Sequence, residues 1–452
     1  MNISRRNTLK ALSAGALASG LGGFTLPFAQ AQSAPSDYKA LVCIFLFGGN
    51  DGNNVIIPAD AAGYAAYSAV RNAGSNINIA QSDLLTIKPS NTSSTYGLHP
   101  ALSAIHPLFG MGKLAAVTNM GSLLAPITKA QYLAGLSRPY QLFSHADQQA
   151  QWQSLVSDQP SATGWGGRLA DAMAASNGSN TFPVLTSVAG SALYTTGNSQ
   201  SPLAIPSSGA FGLTGLTGTD AMTQARATAL KSMLQQGKDH ALVKAAAEQT
   251  EQAIALSAKV NPIVSGTNSS VASLFTTTGN SLAQQLLQVA KLIEARASIG
   301  LSRQIFFVSV GGFDTHTNQI NTQQTLLAQV GSAMKSFYDA TVSLGVANNV
   351  TSFTLSDFAR TFKSAGTGTD HAWGNHQLVM GGAVKGGTMY GTFPNLQLGG
   401  SDDVTGEGRW LPTTSVDQYA ATLATWFGLP AAQLASVAPN LGAFATKNLG
   451  FV

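Results

Sequence analysis

The sequence predicts an α/β fold around a mostly parallel sheet, and three observations carry that expectation. Apolar, β-forming runs recur at residues 40–47, 114–117, 304–310 and 350–355. Helix-compatible segments lie between them, as the crossovers between parallel strands require. Three of the runs stop at polar residues of metal-ligand type: Asp51 after the first, Asp314-Thr315-His316 after Val310, and Ser356-Asp357 after Leu355. The carboxyl ends of strands in an open α/β sheet line one crevice, so such residues converge although they are far apart in sequence.

The N-terminus reads Ser4-Arg5-Arg6-Asn7-Thr8-Leu9-Lys10, followed by an apolar stretch from Ala11 to Leu26 that glycine dilutes. A paired arginine before such a stretch is the twin-arginine export pattern. Ala29-Gln30-Ala31 offers a small-x-small cleavage site, so residues 1–31 are expected to be a signal peptide. No stable membrane anchor is expected, because the run falls short of the roughly 20 residues a spanning helix needs. The expected partner is the twin-arginine translocase, and the expected destination is the periplasm or the exterior. Removing residues 1–31 takes away Arg5, Arg6 and Lys10 and no acid, so the formal charge of +4 falls by three to +1. A near-neutral mature chain gives nucleic acid no electrostatic hold.

The first run, Ala40 to Phe47, is continuous and apolar and ends at Gly48-Gly49-Asn50-Asp51-Gly52. A strand covered on both faces reads this way. Cys43, the only cysteine, lies inside it, where a small buried hydrophobe is expected, and no intrachain disulfide can form. From about residue 187 to 218 the chain turns to Ser, Thr, Gly and Pro. A helix capped by Thr219 or Asp220 follows to about Val260, and another spans about 281–297. Residues 37–452 are thus expected to form one domain, with 190–300 as an insertion or cap.

Asp370-His371 and His376 follow Asp357 within Gly366-Thr367-Gly368-Thr369-Asp370-His371-Ala372-Trp373-Gly374-Asn375-His376. With Asp51, Asp314, His316 and Asp357 they give four aspartates and three histidines. Such a mixed oxygen and imidazole set suits one or two divalent ions, Zn, Mn or Fe. Mg or Ca would lean more on the carboxylates alone. Each member alone has an ordinary structural explanation as a turn residue, a helix cap or a satisfied core histidine. A further cluster is Phe143-Ser144-His145-Ala146-Asp147-Gln148, where Ser144 is either a helix cap in a Ser-x-x-Asp box or a nucleophile beside metal ligands.

These segments, with Gly312-Phe313-Asp314-Thr315-His316, Ser356-Asp357-Phe358-Ala359-Arg360-Thr361 and the closing Ser415-Val416-Asp417-Gln418-Tyr419, resemble the domain-of-unknown-function 1501 family of twin-arginine-exported bacterial proteins. That family is grouped with the alkaline phosphatase and sulfatase superfamily, so the resemblance implies a three-layer α/β/α core with a helical insertion. The resemblance implies metals at the strand ends and, by order, roles for Asp51, Ser144, Asp314, His316, Asp357, Asp370, His371 and His376. Two departures stand out. Phe358, not His, follows Asp357, and the Ser144 segment lacks the Pro and Arg of formylglycine sulfatases. The reading that follows is an exported metal-dependent hydrolase of phosphate or related esters, Ser144 attacking and Arg138, Arg168 or Arg360 as candidate clamps. The alternative is a non-catalytic envelope or polysaccharide-associated protein that keeps the fold.

Overall fold

A computed structural model describes residues 37–452, except 74, 75, 214 and 217. Arg5, Arg6 and the expected cleavage site lie outside the described residues. Among those described, no helix is long and apolar enough to cross a membrane.

Among the described residues the central sheet has nine strands: β1 (Lys39–Leu46), β2 (Leu114–Gly121), β3 (Leu185–Ser187), β4 (Leu203–Ala204), β5 (Arg303–Val310), β6 (Val350–Ser356), β7 (Asn375–Gly381), β8 (Met389–Tyr390) and β9 (Thr414–Ser415). Their spatial order is β8-β2-β7-β6-β1-β5-β3-β4, with β9 also on β2. Every pairing is parallel except those of β7, which runs antiparallel to both β2 and β6. The four expected runs are all strands. The sequence pattern does not announce β7, whose start lies in the glycine-rich segment that carries Asp370, His371 and His376.

Strand β1 shows why the sheet sits in the middle of the molecule. Ala40, Val42, Ile44 and Leu46 face one apolar layer, whereas Leu41, Cys43 and Phe45 face the other, and all are buried. Side chains alternate across a strand, so a run apolar at every position needs cover on both faces. The first layer is built on α5 (Ser281–Glu294) and α6 (Gln319–Ser343), the second on α7 (Val416–Phe427) and the helix Trp165–Ala172. Burial pushes the Cys43 thiol well up, which keeps it un-ionised.

Two further helices precede these in the chain, α1 (Ala61–Arg71) and α2 (His145–Ser154). The stretch 190–300 divides. Its helices α3 (Ala221–Met233) and α4 (Ala241–Val264) expose Met222, Met233, Leu242 and Val243. By contrast α5 buries Leu282, Leu286, Val289 and Ile293 against the sheet, and β4 extends the sheet itself.

Candidate metal centre

Three chain segments meet beyond the ends of β1, β5 and β6. Gly48 lets them approach: its φ is +113°, and a Cβ there would lie 2.4 Å from the Asp314 backbone nitrogen. Its N–H donates to Asp357 Oδ1 at 3.1 Å, which ties the end of β1 to the end of β6. Gly49, at φ +79°, leaves room for the Phe358 ring. That ring lies under two imidazoles, 4.8 Å from His145 and 4.6 Å from His371 between centroids. The phenylalanine after Asp357 is therefore the floor of the site.

Asp314 is the hub. His316 Nε2 lies 2.9 Å and His371 Nε2 3.4 Å from its Oδ1, while His145 Nε2 lies 3.5 Å from Oδ2. His316 Nε2 and His371 Nε2 are 3.0 Å apart. A tetrahedral ion with bonds of about 2.0–2.1 Å holds its ligand atoms roughly 3.3 Å apart, so His145, Asp314 and His371 group at the spacing of donors around one centre. Asp370 shares a second grouping with His316 and His371 at the outer edge. Its carboxylate accepts the His371 N–H at 2.8 Å and Arg409 Nη2 at 3.1 Å.

The hydrogen bonds on the far side of each ring show which nitrogen is bare. His145 Nδ1 lies 2.7 Å from Asp357 Oδ2 and donates to it, leaving Nε2 as a lone pair when the ring is neutral. That Nε2 is buried and has no hydrogen-bond partner among the described residues. His371 Nδ1 lies 2.8 Å from the Phe143 carbonyl, an acceptor only, so its Nε2 is also bare when the ring is neutral. Two lone pairs aimed at one carboxylate, in a donor set of three imidazoles and an aspartate, fit a divalent ion of the zinc, manganese or iron type. Asp314 and His316 are 45% and 46% exposed, so the cluster opens to solvent on one side.

Electrostatics keep the Asp314 carboxylate charged. Burial alone would raise the Asp314 carboxyl, but the Arg360 hydrogen bond and charge, with His316 and His145, outweigh it and hold it below its ordinary value. The hydrogen bond to Asp357 raises His145, whereas burial lowers His371.

Not every expected residue joins. Asp51 lies in a separate buried network: Arg71 of α1 grips it at 2.6 and 3.0 Å, Gln319 Nε2 reaches Oδ2 at 2.5 Å, and the Asn53 N–H and Nδ2 reach Oδ1 at 3.1 Å. Five donors on a carboxylate with about four lone-pair sites leave no place for an ion. The expectation that Asp51, Asp314 and Asp357 share one metal shell is corrected accordingly. Asp357 is buried and reaches the cluster through His145, with Gln149 Nε2 also donating to its Oδ2 at 2.7 Å. His376 is likewise elsewhere: it sits on β7, its Nδ1 accepts the Asn119 N–H at 3.0 Å, and its ring stacks on Phe393 at 4.9 Å. Asn119 has φ +47° where the β2–β7 register slips, so His376 satisfies a donor freed by that irregularity. Ser144 precedes α2, and its Oγ donates to Asp147 Oδ2 at 2.5 Å without capping the helix backbone.

The residue that sequence reasoning missed is His145. It stood beside Ser144, and the serine drew the chemical reading. Its signal was its place on the first turn of a helix that starts beside other candidate ligands.

No curated protein sequence matches the chain. Two solved structures align over most of it, though loosely. One is Ps i-CgsB in complex with k-i-k-neocarrahexaose, at a TM-score of 0.34 and 8% identity, covering 87% of this chain and 72% of that one. The other is the PsFucS1 sulfatase from Pseudoalteromonas sp., at a TM-score of 0.33 and 10% identity, covering 85% and 71%. The family model described as "Protein of unknown function (DUF1501)" matches residues 38–407, most of the chain, which therefore belongs to the DUF1501 family.

Proposed function

We propose that the protein is a hydrolase of phosphate or related esters whose active site holds one divalent ion on His145, Asp314, His316 and His371. The observation that carries this reading is the buried, unpartnered Nε2 of His145 aimed at Asp314 and beside the bare Nε2 of His371. The two groupings share His371, whose Nδ1 is already committed; the proposed ion sits in that of His145, Asp314 and His371, with His316, 2.9 Å from Asp314, completing it in place of Asp370. Structural metal sites are closed, whereas this one has an exposed side, as a site that admits substrate needs. When bound, such an ion stabilises negative charge and lowers the pKa of an attacking oxygen.

The protein groups then divide the remaining work. Asp357 holds the His145 tautomer, and Arg360, buried, fixes Asp314 through Nη1 at 2.8 Å. Ser144 is the candidate nucleophile, and Asp147, already accepting its hydroxyl proton, is the base beside it. The N-terminus of α2, which starts at His145, favours negative charge there.

The test is hydrolysis of a panel of phosphomonoesters, phosphodiesters and sulfate esters by wild type and Ser144→Ala, with metal content measured in parallel. Loss of turnover with metal retained supports the nucleophile. Unchanged rates, with a stability cost of about 1 kcal/mol for the lost hydrogen bond, remove Ser144 from the mechanism. A folded, metal-loaded wild type that cleaves nothing would leave the non-catalytic envelope or polysaccharide-associated reading. We propose also that Arg5 and Arg6 direct export through the twin-arginine translocase. Normal periplasmic recovery of the Arg5→Lys, Arg6→Lys precursor would refute this.

A further inference from the structure

We propose that Gln148 is a positioning residue: it holds the Phe143 backbone in the conformation that fixes the His371 tautomer. The inference rests on the metal-centre reading only for its consequence, ion affinity. Its geometry stands alone.

His371 can present a lone pair on Nε2 to a cation beside Asp314 only while its proton sits on Nδ1, and the acceptor that keeps it there is the Phe143 carbonyl, 2.8 Å away. That carbonyl points inward because Phe143 has φ +73°, a left-handed conformation that a bulky residue adopts only when its surroundings impose it. Two contacts impose it. Gln148 Oε1 accepts the Phe143 N–H at 2.5 Å from the second turn of α2. Arg409 lies 5.1 Å above the Phe143 ring while its Nε donates to the His371 carbonyl at 2.7 Å.

Gln148 itself is fully buried, and its amide orientation is fixed, because only the oxygen can face an N–H. Its Nε2 is left buried without a partner among the described residues. A side chain present for packing alone would avoid that desolvation cost, as Leu or Met does. The buried amide is explained by what its oxygen holds. Its neighbour Gln149 braces the opposite ring through Asp357, so consecutive residues of α2 serve the two imidazoles whose Nε2 atoms are bare.

The experiment compares wild type, Gln148→Leu and Gln148→Glu by ¹⁵N chemical shifts of His371 in metal-free protein at about pH 8, and by Co²⁺ titration. Wild type and Gln148→Glu, which keeps the acceptor, should show the Nδ1–H tautomer. Gln148→Leu should show a mixture and bind Co²⁺ about 10–100-fold more weakly, as other losses of a group behind a ligand do. If Gln148→Leu does not fold, Phe143→Gly tolerates the same φ but no longer locks it, and should shift both readouts the same way. A folded Gln148→Leu with wild-type tautomer and Co²⁺ affinity would overturn the proposal. A tautomer shift in a protein that binds no Co²⁺ would uphold it and overturn the metal reading instead.

Discussion

Asp51 and Asp314 begin from the same circumstances, each a carboxylate just past the end of a central parallel strand, and they end in opposite chemistry. Around Asp51 the protein supplies its own cation: Arg71, with both side chains fully buried, and three further donors from Asn53 and Gln319. Around Asp314 it supplies one arginine and three imidazoles, two of them oriented to present lone pairs where hydrogens would otherwise point. Position at a strand end brings residues together. What faces the carboxylate decides whether it holds the fold or awaits a ligand.

The comparison breaks most sharply by substitution at Asp51. Asp51→Asn leaves Arg71 as a buried uncompensated charge and should cost about 3–5 kcal/mol in denaturant unfolding, while metal binding by the folded fraction stays unchanged. A mild stability loss accompanied by loss of bound metal would mean that Asp51 belongs to the centre after all.

His376 extends the test to pH. Burial pushes it down to about 4, so the unfolded chain, near 6.5, takes up the proton first. Its contribution is complete above about pH 6.5 and is lost as pH falls through about 4, a change of about 3 kcal/mol at most. Stability measured across that window should flatten in His376→Gln. An unchanged slope would show that His376 is not held neutral by its site.

The smallest effect sharpens the other side. Asp357→Asn keeps an oxygen that can accept from His145 but removes the charge, and should weaken metal binding about 10–100-fold without abolishing it. Complete loss of binding in a folded protein would make Asp357 a ligand and not a brace.

The sheet was legible because β1 is apolar at every position from Ala40 to Leu46, a pattern that only two-sided burial explains. The strand ends were legible for the same reason. The partition between Asp51 and Asp314 was not, because Arg71 reaches Asp51 from a helix twenty residues on, with no spacing to announce the pair. His376 looked like a ligand since Gly374 and Asn375 disguise the start of β7 as a loop. His145 was hidden by its neighbour: local sequence favours Ser144 as the chemical residue, and only the packing of α2 against Asp357 turns the imidazole inward.

Metal stoichiometry in His145→Ala tests the single centre most directly. Wild type, stripped and reloaded with Zn²⁺ or Mn²⁺, should hold one ion per chain, and His145→Ala should remain folded yet lose that ion. An ion retained in His145→Ala, or two ions in wild type, would contradict a single centre built on His145, Asp314, His316 and His371.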